Sequence, residues 1–425
     1  MDTKPQGNGP VAKSILVYAC AFAVAGATPF VLLPLLTKQL SPLQFGEVTS
    51  FLMLAAMIGN IAGLSSHGLV AVRYFKTGAR EYSGIVSSAV LAVLAAHVLV
   101  AFVVALLFPQ LRRVFELPLG LMLFAVLTAS FLSLNLIFLA IFQSSGQPVR
   151  YLTARLVQGF IEIVLCVGLI YFLSMGSGSR IYSYALALAA SAGVGIVYGL
   201  RKGYLGRQAS RDHAKVLLAF GVPMLPHIAA GTAITYLDRL MVSTLLGVES
   251  LGIYMVAMQI GMVMVAIIEP LNKALAPWLF EQLAKDDAAV RISVVRKTYR
   301  FYASLAMAGT VIAVLAQVFF DILIGPRYAA AKTLIPWMVA GFVLQGMYYT
   351  VVNYLFYAER TGRLSIMSSF TAALGCALSY TLVSTLGLVG AGVSFALNNA
   401  ILFGLVWLAA AKAVAMPWRL RSSPT

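Results

Sequence analysis

Along this chain the apolar positions come in runs of about twenty residues, and the polar positions are confined to short breaks rich in glycine, proline and charge. A helix needs about 20 mostly apolar residues to cross the hydrocarbon of a bilayer. Lipid offers no partner to an unpaired backbone group, so a run of that length must be helical. The pattern predicts twelve such spans: Ser14 to Leu36, Val48 to Val70, Ile85 to Phe108, Leu119 to Phe142, Tyr151 to Leu173 and Ile181 to Leu200, then Val216 to Tyr236, Leu251 to Leu279, Phe301 to Phe319, Leu334 to Leu355, Leu364 to Leu386 and Gly387 to Ala411. Gly387, Gly390 and Gly392 mark a tight turn between the last two. The runs consume most of the chain and leave no room for a soluble domain, so the expected fold is an all-α integral membrane protein.

Composition points the same way. Of 425 residues, 61% are hydrophobic and 10% charged, and the mean hydropathy is +0.91; soluble domains average roughly 45–50% and about 25%. A net charge of +16 would suggest nucleic acid on a soluble protein, but in a membrane protein bases collect in the cytoplasmic connections. Twenty-two of the 30 bases fall on one side of the twelve-span scheme, seven on the other, Arg180 among them, and Lys273 lies inside a span. The bias predicts cytoplasmic N and C termini and leaves no role for nucleic acid. The first run exceeds the roughly 7–15-residue core of a secretory leader and is expected to stay as a signal anchor. Cys20, Cys166 and Cys376 fall inside spans with no metal or redox spacing, and the chain has no GxxxxGK or HExxH sequence. Gly59/Gly63 and Gly195/Gly199 have the GxxxG spacing that allows close helix packing.

The spans divide into two sets of six, giving an N-terminal lobe over 1–205 and a C-terminal lobe over 206–425. A shift of 206 residues aligns Leu40-Ser41-Pro42-Leu43-Gln44-Phe45-Gly46 with Leu246-Gly247-Val248-Glu249-Ser250-Leu251-Gly252, and each segment closes one helix and opens the next. An even number of spans per half gives both halves the same orientation, a parallel pseudo-repeat about the membrane normal. Carriers built this way place the substrate between lobes that rock against each other.

The stretch from Pro29-Phe30-Val31-Leu32-Leu33-Pro34 through Leu40-Ser41-Pro42 to Phe45-Gly46 resembles the opening of Wzx-type polysaccharide flippases. So does Phe220-Gly221-Val222-Pro223-Met224-Leu225-Pro226-His227 followed by Asp238-Arg239, and Leu251-Gly252-Ile253-Tyr254 leading to Pro277-Trp278. These flippases share a superfamily with multidrug and toxin extruders and with lipid II flippases, which generally carry fourteen spans rather than twelve. The resemblance implies a multidrug-extruder-like fold in a bacterial cytoplasmic membrane. It also implies translocation of an undecaprenyl-pyrophosphate-linked oligosaccharide for surface lipopolysaccharide or exopolysaccharide, with no covalent chemistry and no cofactor beyond a proton or sodium gradient. Membrane lipids, a polysaccharide polymerase and a chain-length regulator are the partners it suggests. Such a cargo needs a wet, cationic cavity and a lateral gap for the lipid tail.

Charges at depth are therefore the candidate site residues, since each costs about 2.5–3.5 kcal/mol to insert. Lys273 has Glu269 one turn earlier on the same helical face; the two either line the cavity or neutralise each other beside Pro270. The 206-residue shift places His67 opposite Lys273 in the repeat, as a second basic group or a packing residue. Glu162 lies mid-span, as a coupling carboxylate or as the partner of Arg155 on the same face. Asp238 and Arg239 form an outer gate or an interfacial anchor, and His227, beside Pro226, lines the cavity or is satisfied within its helix. Arg73, Lys76 and Arg80 steer an anion toward the entrance or only set topology. His97 and the methionines Met255, Met258, Met262 and Met264 read as packing. Asn60, Gln259, Gln345, Asn353, Asn398 and Asn399 either bond sugar hydroxyls or hold helices together, and Tyr348, Tyr349 and Tyr357 either stack on sugars or form an interfacial belt.

Two other functions fit part of the pattern. A cation-coupled multidrug extruder on the same fold would favour an acidic cavity. A polyprenyl-linked glycosyltransferase or polymerase would need a large outer loop, and the outer connections here are short.

Overall fold

The computed structural model describes Val17 and residues 26–206, 209–285 and 287–418. The first part of the first predicted span, Cys20 and the bases Lys4, Lys13, Arg207, Arg419 and Arg421 lie outside the described residues. The chain divides into two compact units, one ending at Tyr236 and one beginning at Leu237.

The first unit opens with α1, helical residues 26–39. Ser41 ends it and caps α2 (Pro42–Ala62): its hydroxyl accepts from Gln44 N at 3.2 Å, and the Gln44 side chain accepts from Ser41 N at 3.0 Å. This reciprocal capping satisfies two helix-end donors at once. The predicted second span is one crossing built from two helices, α2 and α3 (Ser66–Tyr74), broken where Leu64 and Ser65 take left-handed backbone at φ 50° and 49°. Next come α4 (Ala79–Leu106), the short α5 (Phe108–Phe115), α6 (Leu119–Ser144), α7 (Pro148–Tyr171), α8 (Ser177–Arg201) and α9 (Arg211–Gly221).

The centre of this unit is α6, whose Ala125, Ala129, Ile137 and Ile141 are fully buried and which packs on α2, α3, α4 and α8. Small residues set the spacing. A Cβ on Gly195 of α8 would sit 2.5 Å from the Phe138 ring of α6, and one on Gly221 would sit 2.4 Å from the Leu64 carbonyl. At Gly221 no side chain separates α9 from the break in the second span.

After α9 a 3-10 turn, Val222–Met224, leads into α10 (Leu225–Gly261). In the second unit, Gly247 (φ 84°, ψ 169°) folds α10 back on itself, and the second arm continues through Met262 into α11 (Val263–Ala284) as one crossing with Pro270 and Pro277 inside it. The long α12 (Ala288–Leu323), a 3-10 segment (Pro326–Thr333), α13 (Ile335–Tyr357) and α14 (Thr361–Ala413) complete it. Gly387 (φ 60°, ψ −138°) folds α14 into two antiparallel arms packed on α13. Residues 414–418 then return over the lobe, where Tyr299 donates to the Trp418 carbonyl at 2.7 Å.

Ten of these helical segments are long and apolar enough to cross a membrane. With α14 counted as two, the described residues account for eleven of the expected spans, and α1 covers the last part of the first, in keeping with about twelve. Ser41 and Gly247, related by the 206-residue shift, both separate consecutive spans. Gly176, between α7 and α8, has φ 57° and ψ −131°, almost the conformation of Gly387 between the arms of α14. That backbone region is essentially open only to glycine.

Candidate functional site

In the first unit the deepest charge is Glu162 on α7, 5% exposed, and it forms an ion pair with Arg180 on α8, also 5% exposed. The sequence leaves Glu162 as a coupling carboxylate or as the partner of Arg155 and places Arg180 in an outer connection; the structure gives Glu162 the Arg180 partner and puts Arg180 inside α8. α8 begins at Ser177, before the apolar run that starts at Ile181, so Arg180 already sits in the helix facing α7. Arg155 instead sets its guanidinium 6.0 Å from the Tyr151 ring centroid and lines the same 180 Å³ cavity as Glu162, Arg180, Gln158, Thr28 and Tyr184. One turn before Glu162, Gln158 accepts from Asn135 of α6 at 3.3 Å. Two guanidinium groups and one carboxylate thus share a small polar space within the helix bundle.

A second polar space, 230 Å³, lies at the break between α2 and α3 and is lined by Asn60, Ser65, Ser66, His67 and Ser133. Asn60 donates to Thr232 of α10 at 3.3 Å, and Ser133 of α6 donates to the Gly59 carbonyl at 3.3 Å. His67 is in the first turn of α3 and is exposed. His227, in the first turn of α10, is exposed as well, and its neighbour Ile228 is the residue that lines this space. His97 is buried, its Nδ1 2.7 Å from the Val93 carbonyl, as a packing residue should be. Arg73 is half-buried in the last turn of α3, while Lys76 and Arg80 are exposed at the same end.

In the second unit Glu269 and Lys273 occupy successive turns of α11, the acid half-buried and the base exposed. Asn272, between them in sequence, accepts from buried Asn353 of α13 at 3.1 Å, and Tyr349 lies within electrostatic reach of Glu269. His67 and Lys273, paired by the repeat, belong to different units. Asp238 accepts a 2.5 Å hydrogen bond from the hydroxyl of fully buried Tyr254 and a 2.8 Å bond from the Arg239 backbone N–H. The Tyr254 contact joins the two arms of α10 across the Gly247 turn. Sequence reading named Asp238 but met Tyr254 only in the Leu251-Gly252-Ile253-Tyr254 segment and missed the bond between them, because the surroundings of Tyr254 resemble those of any core aromatic. Among the described residues no cluster of three His, Cys, Asp or Glu side chains is placed to hold a metal.

The profile of the polysaccharide biosynthesis protein family matches residues 11–283. The chain belongs to that family. Its membership agrees with the resemblance carried by the segments around Pro29 to Gly46 and Phe220 to His227. Among solved structures, "Lipid II flippase MurJ, inward closed conformation" has a TM-score of 0.69 at 12% identity, covering 94% of this chain and 86% of that one. An inward-facing multidrug resistance MATE family transporter of the MOP superfamily has a TM-score of 0.63 at 16% identity, covering 93% and 94%. These likenesses show the fold of the family member. Two curated relatives come from Haemophilus influenzae: an uncharacterized membrane protein, 23% identical over 84% of this chain and 86% of its own length, and Lsg locus putative protein 1, 20% identical over 84% and 87%.

Proposed function

We propose that the protein is a flippase rather than an enzyme, moving an undecaprenyl-pyrophosphate-linked oligosaccharide across a bacterial cytoplasmic membrane by alternating access of its two lobes. Family membership supports the polysaccharide pathway, and the fold is shared with a structure named as a lipid II flippase. The observation that favours this cargo over an organic cation is the cavity holding Arg155, Arg180 and Glu162, in which bases outnumber the acid. A pyrophosphate is stabilised by that surplus, and guanidinium groups match its geometry bidentately. The distribution of bases supports cytoplasmic termini, with Arg73, Lys76 and Arg80 at the entrance. Lys273, Glu269, His67 and His227 supply further polar groups, and Asp238 with Arg239 belongs to the opposite end of its helix. Coupling to a proton or sodium gradient falls to Glu162, because protonating or occupying that carboxylate releases Arg180 for the cargo.

The test is rescue of surface glycan export in a flippase-deficient strain. Restored export supports the reading; intracellular accumulation of lipid-linked oligosaccharide despite normal expression overturns it.

A further inference from the structure

Each unit carries an apolar groove apart from the Arg155–Glu162–Arg180 cavity, and the two have a similar construction. In the first unit a 350 Å³ groove between α6, α7 and α8 is walled by side chains including Ala154, Val157, Ala190 and Val194, with Arg150 and Tyr198 at its mouth. In the second, a 400 Å³ groove between α11, α12 and α13 is walled by side chains including Leu271, Ala274 and Phe301, with Lys297 and Trp278 at its mouth. The first extends from Arg150 to Ile161 and the second from Leu271 to Leu279, spans of about 16 Å and about 12 Å at the helical rise. Both mouths open where bases concentrate: Arg150 begins α7 beside the end of α8, and Lys297 follows Arg291 and Arg296 on α12.

The mouths share a chemical arrangement. The Arg150 guanidinium lies 5.1 Å from the Tyr198 ring centroid and donates to its hydroxyl at 2.8 Å; the Lys297 ammonium lies 5.0 Å from the Trp278 ring centroid. Stacking on an aromatic face holds a cation in place without neutralising it. Among the described residues no carboxylate forms an ion pair with either base, whereas Lys215 and Lys285 pair with Asp212 and Glu281. Exposed Val157, Val194 and Leu271 put hydrocarbon at the groove surface. An unneutralised cation above an apolar slot calls for an amphiphile with an anionic head, and volumes of about 300–1,000 Å³ are those of ligand pockets.

We propose that the two grooves are binding sites for anionic phospholipid, one per lobe, with an acyl chain in the slot and the phosphate on Arg150 or Lys297. Basic pockets between membrane helices recognise lipid phosphates in this way. Two sites favour resident membrane lipid over the cargo, which has a single polyprenyl tail. The assignment requires only a membrane and does not depend on what is transported.

The experiment is native mass spectrometry of the full-length protein released from nanodiscs of mixed phosphatidylglycerol and phosphatidylethanolamine. Wild type is expected to retain two phosphatidylglycerol molecules, Arg150→Gln and Lys297→Gln one each, and the double variant none. Arg150→Lys and Lys297→Arg retain both, and Ala190→Trp or Ala274→Trp, which fill the slots, each remove one. Equal retention of the two lipids by wild type overturns the proposal. So does unchanged retention in the double variant, or displacement of both phosphatidylglycerols by undecaprenyl phosphate, which would give the grooves to the cargo.

Discussion

Glu162 and Arg180 lie 18 residues apart and form a buried ion pair across the α7–α8 hairpin, whose turn is made by Gly176. A pair of this kind restricts substitution more than it adds stability. Desolvating both charges offsets most of their attraction, but leaving one alone costs about 3–5 kcal/mol.

Arg180→Met or Glu162→Gln alone should therefore lower thermal stability sharply, while Arg180→Met with Glu162→Leu should recover much of the loss. Thermal unfolding of the purified variants measures this. If the cavity also serves transport, the double variant folds yet exports no glycan; full export would restrict the pair to a structural role.

Tyr254→Phe removes the donor to Asp238 and leaves a half-buried carboxylate short of one hydrogen bond, a loss of about 1–3 kcal/mol. Asp238→Asn keeps an acceptor for the Tyr254 hydroxyl and should cost less. Comparing the two melting temperatures decides whether this bond holds the α10 arms together.

Lys273→Ala combined with Glu269→Gln removes the charge of both residues, so a purely neutralising pair predicts normal export and a cavity role predicts none. The readout is surface glycan in the complemented strain, with expression checked by immunoblot.

Gly387→Ala and Gly176→Ala place a Cβ on backbone of positive φ, at a cost of about 1–3 kcal/mol each; at Gly387 the Cβ meets nothing within 4 Å and strain acts alone, while at Gly176 it also meets the Gln44 side-chain nitrogen at 2.8 Å. Gly221→Ala should be damaging for a different reason, because its Cβ meets the Leu64 carbonyl, whereas Gly168→Ala meets nothing within 4 Å and should be neutral. Yields of folded protein across these four variants separate backbone strain from collision.

The spans were legible because apolar length is dictated by the bilayer, and the Gly387 turn because glycine advertises the φ it permits. Arg180 was misplaced because hydropathy ends a span at the first charge, while the helix begins earlier, at Ser177, and the long side chain meets an acid on the neighbouring helix. The break at Leu64 and Ser65 was passed over because Gly63, Ser65, Ser66 and Gly68, although turn formers, lie inside an apolar run long enough to read as one span; the approach of Gly221, more than 150 positions away in sequence, accompanies the break. Tyr254 was hidden because a tyrosine that serves one carboxylate looks, in a string of letters, like any buried ring. The Asn272–Asn353 bond belongs to the same class: Asn353 was named as a candidate, but its partner on another helix was not.

The contact between Gly221 and the Leu64 carbonyl also has a mechanical side. Two backbones that touch with no side chain between them leave room for nothing larger than hydrogen at Gly221, so the distance between α9 and the broken span is set by the main chain alone. The Val222–Met224 turn follows at once, and there Pro223 removes one backbone donor from the helix that continues into α10.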